Sequence, residues 1–256
     1  MKSQDIFLLF KLASLHAQEE NLLWPIEDYP PAVVPEVEVS AALPSGVKDA
    51  GALAWLAVYD SLVDSQQDAI AVPELESPSA DLDRWEGWSD IVTGTPLTSW
   101  HEGYSLRALS ASLGFSKSEI SNSLIRCRNA GLLTSDNETS LPKVNRRALL
   151  KISEHALKHF FPVKPGAIVR GIPTGFAAPV LAKRLKSAGE LIPVWPDPFG
   201  SERGQSIVPL YKTVIEAVKK DRTLYHYLAL VDAIRVGGPR ESAVAVQMLK
   251  AGLGIK

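Results

Sequence analysis

The chain has 256 residues, 46% of them hydrophobic and 22% charged, a composition that implies one large or two modest globular domains. Its one cysteine, Cys127, excludes an internal disulfide and fits a reducing, cytoplasmic setting, and no apolar run approaches the roughly 20 residues that a membrane helix needs. The net charge of −2 conceals an asymmetry: residues 1–103 carry 4 Lys/Arg and 18 Asp/Glu, whereas residues 104–256 carry 23 and 11. Such a division points to a polyanion as partner of the second part and something basic as partner of the first, or to two parts that neutralise each other.

Residues 3–16 predict a helix capped by Ser3 or Asp5. Ile6, Phe7, Leu8, Leu9, Phe10, Leu12 and Ala13 make it apolar nearly all round, so it has to be buried. The first residues faintly resemble a secretory leader, but Asp5 in the charged end and Lys11 within the apolar run argue against one. Residues 19–103 follow, with 17 Asp/Glu against Lys48 and Arg84. Pro25, Pro30, Pro31, Pro35 and Pro44 make the first part of this stretch extended. Val33-Val34 and Val37 to Val39 suit an edge strand or a polyproline-like arm. Residues 48–63 predict a helix with Leu53, Leu56, Ala57 and Leu62 on its apolar side, and residues 74–83 a loop. Trp85, Trp88 and Trp100 lie beside acidic groups. Disordered tails are poor in aromatics, so the stretch is expected to dock on something.

Residues 104–133 predict two helices joined by a tight turn. The first starts at Ser105, places Leu106, Leu109 and Leu113 on one face, and stops at Gly114, a residue that readily takes the left-handed conformation. Ser116-Lys117-Ser118-Glu119 has the form of a capping box. The second helix buries Ile120, Leu124 and Cys127 and ends at Gly131. Two strands follow as a hairpin, Leu132-Leu133-Thr134 and Lys143-Val144-Asn145. The tip over residues 135–140 holds Asp136 and Glu138 and no cation. Asn145 caps a helix through Phe160, with Leu149, Leu150, Ile152, Ala156, Leu157 and Phe160 expected inside.

From Pro162 the chain is rich in Pro and Gly. Residues 177–187 predict a helix, residues 191–195 a strand, and 195–200 a rigid turn. A helix over 221–236 and a last one from Pro239 through Leu249 complete an α+β C-terminal segment, 162–256, expected to dimerise the protein or bind an effector.

The run LGFSKSEISNSLIRCRNAGLL, residues 113–133, resembles the recognition half of bacterial winged helix-turn-helix regulators of the MarR and GntR kind. The likeness rests on the Ser-containing turn, a buried aliphatic, a following Ser, a buried Leu and a closing A-G-L. It implies a winged helix-turn-helix domain built from residues 1–20 and 101–161, with the acidic, Pro-rich insert 21–100 between its first and second helices. The expected class is mainly α with small β content. The resemblance further implies a homodimeric repressor or other transcription regulator that binds double-stranded DNA and reads a major groove with helix 116–130.

The solvent face of that helix supplies the candidate contacts. Lys117, Ser118, Ser121 and Asn122 suit base edges, and Asn122 can pair bidentately with adenine. Arg107, Arg126, Arg128 and the Ser116 end of the helix suit phosphates. The alternative is a protein-interaction module, or an antitoxin-like protein, that uses the acidic insert to bind a basic partner. A third reading has the insert cover the basic face and hold DNA binding off. No enzyme, cofactor or metal is expected. His155 and His159 have the spacing of two ligands on a helix face but lack further ligands, and Cys127 falls on the core side. GIPTGF and VGGPRES lack the spacing of a phosphate loop.

Overall fold

The computed structural model describes residues 1–20, 22, 100–136, 140–182, 184–185 and 191–255. The extended arm, helix and loop expected within 23–99 lie outside the described residues. The chain divides into two compact units, residues 1–29 with 83–256, and residues 30–82. The first unit contains every described element, and it is mainly α with small β content.

Helix α1, Ser3–Glu19, is apolar on every face and is buried from Gln4 to Ala17 apart from Lys11. Its cap differs from expectation. Lys2 is the capping position, and Asp5 reaches back so that its carboxylate accepts from the Lys2 amide at 2.8 Å. A short turn of helix follows at Trp100–Gly103 (α2), then α3 (Leu106–Leu113) and α4 (Lys117–Asn129). A two-stranded antiparallel hairpin, β1 (Leu133–Ser135) with β2 (Pro142–Val144), sets Leu133 opposite Val144, one residue later than expected on its first strand and one earlier on its second. The expected helix 145–160 is interrupted at Ala156 into α5 (Arg146–His155) and α6 (Leu157–Phe160). Phe160, expected inside, ends that short last turn and stands 76% exposed.

The Pro- and Gly-rich segment forms a three-stranded closed barrel. Strand β3 (Ile168–Pro173) pairs antiparallel with both β4 (Pro193–Pro196) and β5 (Glu202–Ser206), and β4 pairs with β5 in parallel. So small a barrel brings backbones into contact, and glycine makes room. A Cβ on Gly200 would lie 2.1 Å from the carbonyl carbon of Gly171, and one on Gly204 would lie 2.1 Å from the Ile192 carbonyl oxygen. The helix expected over 177–187 is reduced to a 3₁₀ turn, Gly175–Ala177, and a four-residue helix α7, Pro179–Ala182; residues 183 and 186–190 lie outside the described residues.

Helix α8 (Val214–Val218) leads to α9 (Arg222–Val236) and α10 (Pro239–Gly252), the last two close to their expected bounds. The barrel is tied to α9 by a buried carboxylate. Asp232 accepts from Trp195 Nε1 at 2.6 Å, Thr174 Oγ1 at 3.1 Å and Arg235 Nη1 at 2.6 Å. Tyr225 Oη adds a bond to the Pro173 carbonyl at 2.8 Å. One core runs without interruption from α1 through α3 to α5 and on into α9, α10 and the inner side of the barrel. The segment 162–256 therefore packs into the same interior as α1. Among the described residues no helix is long and apolar enough to cross a membrane.

The last turn of α1 and the residue that follows α2 are joined. Tyr104 Oη donates to Glu19 Oε2 at 3.1 Å, and its ring lies 5.4 Å from that of His16. Replacing residues 30–82, the second compact unit, with a short Gly/Ser linker should leave a cooperatively folding protein. Its melting temperature should stay within a few degrees of that of the full chain; calorimetry checks this.

Two histidines give the fold an acid limit. Burial, helped by nearby Arg222, pushes His226 down to about 3, and burial with Arg146 lowers His16 from the ordinary 6.5. Below about 6.5 the unfolded chain binds protons that the folded protein refuses, so stability falls as pH drops from 6.5 towards 3. Each histidine contributes at most about 1.4 kcal/mol per pH unit. Denaturant titrations should show this decline beginning near pH 6, and His226→Gln should flatten it.

Candidate nucleic-acid interface

The candidate surface is set by local signals that resolve as expected. Ser105 caps α3 by accepting from the Ala108 amide at 3.1 Å, and Gly114 ends it at φ 69°. Ser116 caps α4 by accepting from the Glu119 amide at 3.2 Å, and its hydroxyl lies 3.0 Å from that of Ser118. Only this half of the capping box forms. Gly131, at φ 70°, follows the last turn. The chain then enters the hairpin, where the Asn145 amide donates to the Leu132 carbonyl at 2.9 Å and the Asn145 side chain caps α5.

The inner face of α4 is Ile120, Ser123 and Cys127, with Leu124 partly buried. Leu109 and Leu113 are buried beside it, whereas Leu106, at the very start of α3, is 41% exposed instead of joining them. Burial pushes the Cys127 thiol up to about 12, so this cysteine packs as a small apolar group.

Asp5 of α1 lies under this helix, fully buried. Ser123 Oγ donates to it at 2.6 Å, and Arg126 Nε lies 3.0 and 3.1 Å from its two oxygens. Burial alone would raise the Asp5 carboxyl. The Arg126 guanidinium, the Lys2 amide and the Ser123 hydroxyl outweigh burial and hold it below the usual carboxylate range. Arg126, expected to grip a phosphate, is therefore committed to Asp5.

The other predicted residues share the outer face. Lys117, Ser118, Asn122 and Arg128 are exposed, Ser121 is half-buried, and Ile125 stands among them 49% exposed. Arg107 is exposed on the first turn of α3, and Ser116 is exposed at the turn. On the hairpin Lys143 is exposed; its tip, residues 137–139, lies outside the described residues.

Sequence reasoning missed one residue here. The segment before α8 packs onto the turn between α3 and α4. Tyr211 stacks edge-on to Phe115 with centroids 4.8 Å apart, and Thr213 Oγ1 donates to the Leu113 carbonyl at 2.6 Å. Lys212, between these two inward-facing residues, is exposed beside the turn. Its separation of about a hundred residues from the turn leaves no local pattern to find it by.

The remaining candidates fall elsewhere. His155 is exposed and lies 3.5 Å from Glu154, and among the described residues no three His, Cys, Asp or Glu side chains are grouped to hold a metal. GIPTGF forms the buried end of β3 and the 3₁₀ turn, and VGGPRES joins α9 to α10 with Glu241 accepting from the Gly238 amide at 3.0 Å. No family model, no curated protein and no solved structure matches the chain.

The buried pair predicts an asymmetry. Arg126→Ala leaves a fully buried carboxylate without its cation and should cost about 3–5 kcal/mol. In Asp5→Ala the freed guanidinium can turn to water, so the loss should fall at or below the low end of that range. The folded-state carboxyl is depressed, so its contribution is present above the ordinary 3.8 and fades as pH falls through the lower folded value. Urea melts of both variants at neutral and acid pH check the order and the sign.

Proposed function

We propose that the chain is a sequence-specific DNA-binding transcriptional regulator of winged helix-turn-helix type, acting as a homodimer. In this reading α3, α4 and the β1–β2 hairpin form the reading unit, with α1 as its first helix. Helix α4 enters the major groove, Lys117, Ser118, Ser121 and Asn122 meet base edges, and Arg107, Arg128 and Lys212 meet phosphates. The observation that carries it is the division of α4 into two faces. Its inner side is pinned by Ile120, Cys127 and the Asp5–Ser123–Arg126 cluster, while its outer side carries exposed Lys117, Ser118, Asn122 and Arg128. A helix fixed in rotation about its axis presents those side chains in one orientation, as base readout requires.

Phosphate contacts make binding salt-dependent, with the logarithm of affinity falling by about 0.9 per contact for each decade of salt. Lys117→Ala with Asn122→Ala should lower affinity for duplex from the protein's own upstream region at least tenfold. Lys212→Ala should weaken binding to all sequences alike and reduce the salt slope by about one. Gel shifts at several salt concentrations check this. Binding that is independent of salt, or untouched by the double substitution, rejects the reading.

A second reading rests on the 17 acidic residues of 19–103: a protein-interaction module that neutralises a basic partner. It is favoured if the 30–82 deletion abolishes partner capture and leaves DNA affinity unchanged. If deletion instead raises DNA affinity, the acidic stretch screens the basic face.

A further inference from the structure

The three-stranded barrel carries a second charged surface, on elements separate from α4. Arg170 on β3 and Arg203 on β5 stand directly opposite each other in the antiparallel register. Side chains so placed share one face of the sheet with Cβ atoms about 5 Å apart, and like charges there repel. Both residues are exposed, and among the described residues neither guanidinium is paired with a carboxylate. Glu202, next to Arg203, sits opposite Gly171, and the alternation of the strand sends its side chain to the other face. Arg170 is held in place, since its Nη1 donates to the Gly200 carbonyl at 3.2 Å.

Exposed apolar side chains flank this pair on a rigid backbone. Phe199, 44% exposed, is adjacent in sequence to the carbonyl that Arg170 holds. Its own amide donates to Asp197 Oδ1 at 2.9 Å, and Asp197 is anchored by Lys219 at 2.7 Å. The loop lies directly on β3, as the contact of Gly200 with Gly171 requires. Two residues back along β3, Ile168 is 53% exposed on the same face as Arg170, opposite Gln205.

We propose that this face of the barrel binds a single strand of nucleic acid, with Arg170 and Arg203 on its phosphates and Phe199 and Ile168 against its bases. An anion between the two guanidinia removes the repulsion that the register imposes. Bases reach an aromatic face only when they are unstacked, which selects a single strand over a duplex. An acidic peptide would satisfy the arginines and leave Phe199 and Ile168 without a role. The proposal does not depend on what α4 reads.

The test uses the full chain and a fluorescent oligothymidylate of about 20 nucleotides, followed by anisotropy at several salt concentrations. Arg170→Gln with Arg203→Gln should lower affinity about tenfold or more and flatten the salt dependence. Phe199→Ala should lower it several-fold at unchanged salt slope. In the absence of oligonucleotide Arg203→Gln should raise the melting temperature, because it relieves the repulsion. Failure to bind the oligonucleotide, or binding that the arginine pair does not affect, overturns the proposal. So does a lowered melting temperature in Arg203→Gln, which would make the pair a folding contact. Equal binding of poly-glutamate with the same losses would assign the surface to an acidic polypeptide instead.

Discussion

A helix that is apolar on every side cannot rest on a single partner, and α1 is such a helix. Its burial obliges elements from far apart in the chain to close around it. Aromatic packing supplies much of that closure: Phe7 meets Phe115 at 5.7 Å between centroids, and Phe10 meets Tyr227 at 5.8 Å. Apolar contact is indifferent to rotation and register, and two carboxylates remove the freedom. Asp5 on α1 takes Ser123 and Arg126 from α4. Asp221, which caps α9 by accepting from the Leu224 amide at 2.9 Å, takes Lys11 at 2.7 Å and Ser14 at 2.8 Å from α1. A buried carboxylate is expensive unless it is paired and hydrogen-bonded, so each site tolerates one arrangement of its neighbours.

The same helix therefore orients both ends of the unit. With α4 locked on one side of α1 and α9 on the other, the segment before α8 is brought against the turn between α3 and α4. The substance of that contact is the Thr213 bond to the Leu113 carbonyl and the Tyr211–Phe115 edge. It also restricts the turn itself. Gly114 is needed for its positive φ, and a Cβ there would in addition lie 3.1 Å from Thr213 Cγ2. What reads in the sequence as a self-contained pair of helices is a pair whose turn is completed from a hundred residues downstream.

This explains which parts were legible in the sequence. Several helix ends were, because their chemistry is local: Ser116 and Asn145 as caps, Ser105 and Asp221 as starts, Gly114 and Gly131 as stops, and Pro239 as a first residue, whereas the cap of α1 and the break at Ala156 were not. The outer face of α4 followed from the same periodicity. The polar cluster beneath it did not, because Ser123 and Arg126 are 118 and 121 residues from Asp5. One signal was available. An acid inside an otherwise apolar helix has to find a donor, and Asp5 is such an acid. Of the barrel only the strand expected over 191–195 was legible, as β4; the rest was hidden for a different reason. The barrel strands are short, two of the three begin or end in proline, and they need glycine where backbones touch, which is also the composition of loops.

The distribution of charge separates cations that hold the fold from cations that stand exposed on the surface. Among the described residues each of the four buried aspartates holds a cation: Asp5 with Arg126, Asp197 with Lys219, Asp221 with Lys11 and Asp232 with Arg235. Those four cations belong to the fold, and removing any of them strands a carboxylate in the interior. Lys117, Arg128, Lys212, Arg170 and Arg203 lie outside that set, exposed and without a carboxylate among the described residues. Side chains of this second kind can be neutralised at little cost in stability, since exposed charges are already well solvated. A loss of binding in their variants then reports on the partner, whereas a loss in an Arg126 variant reports first on whether α4 is still held in place.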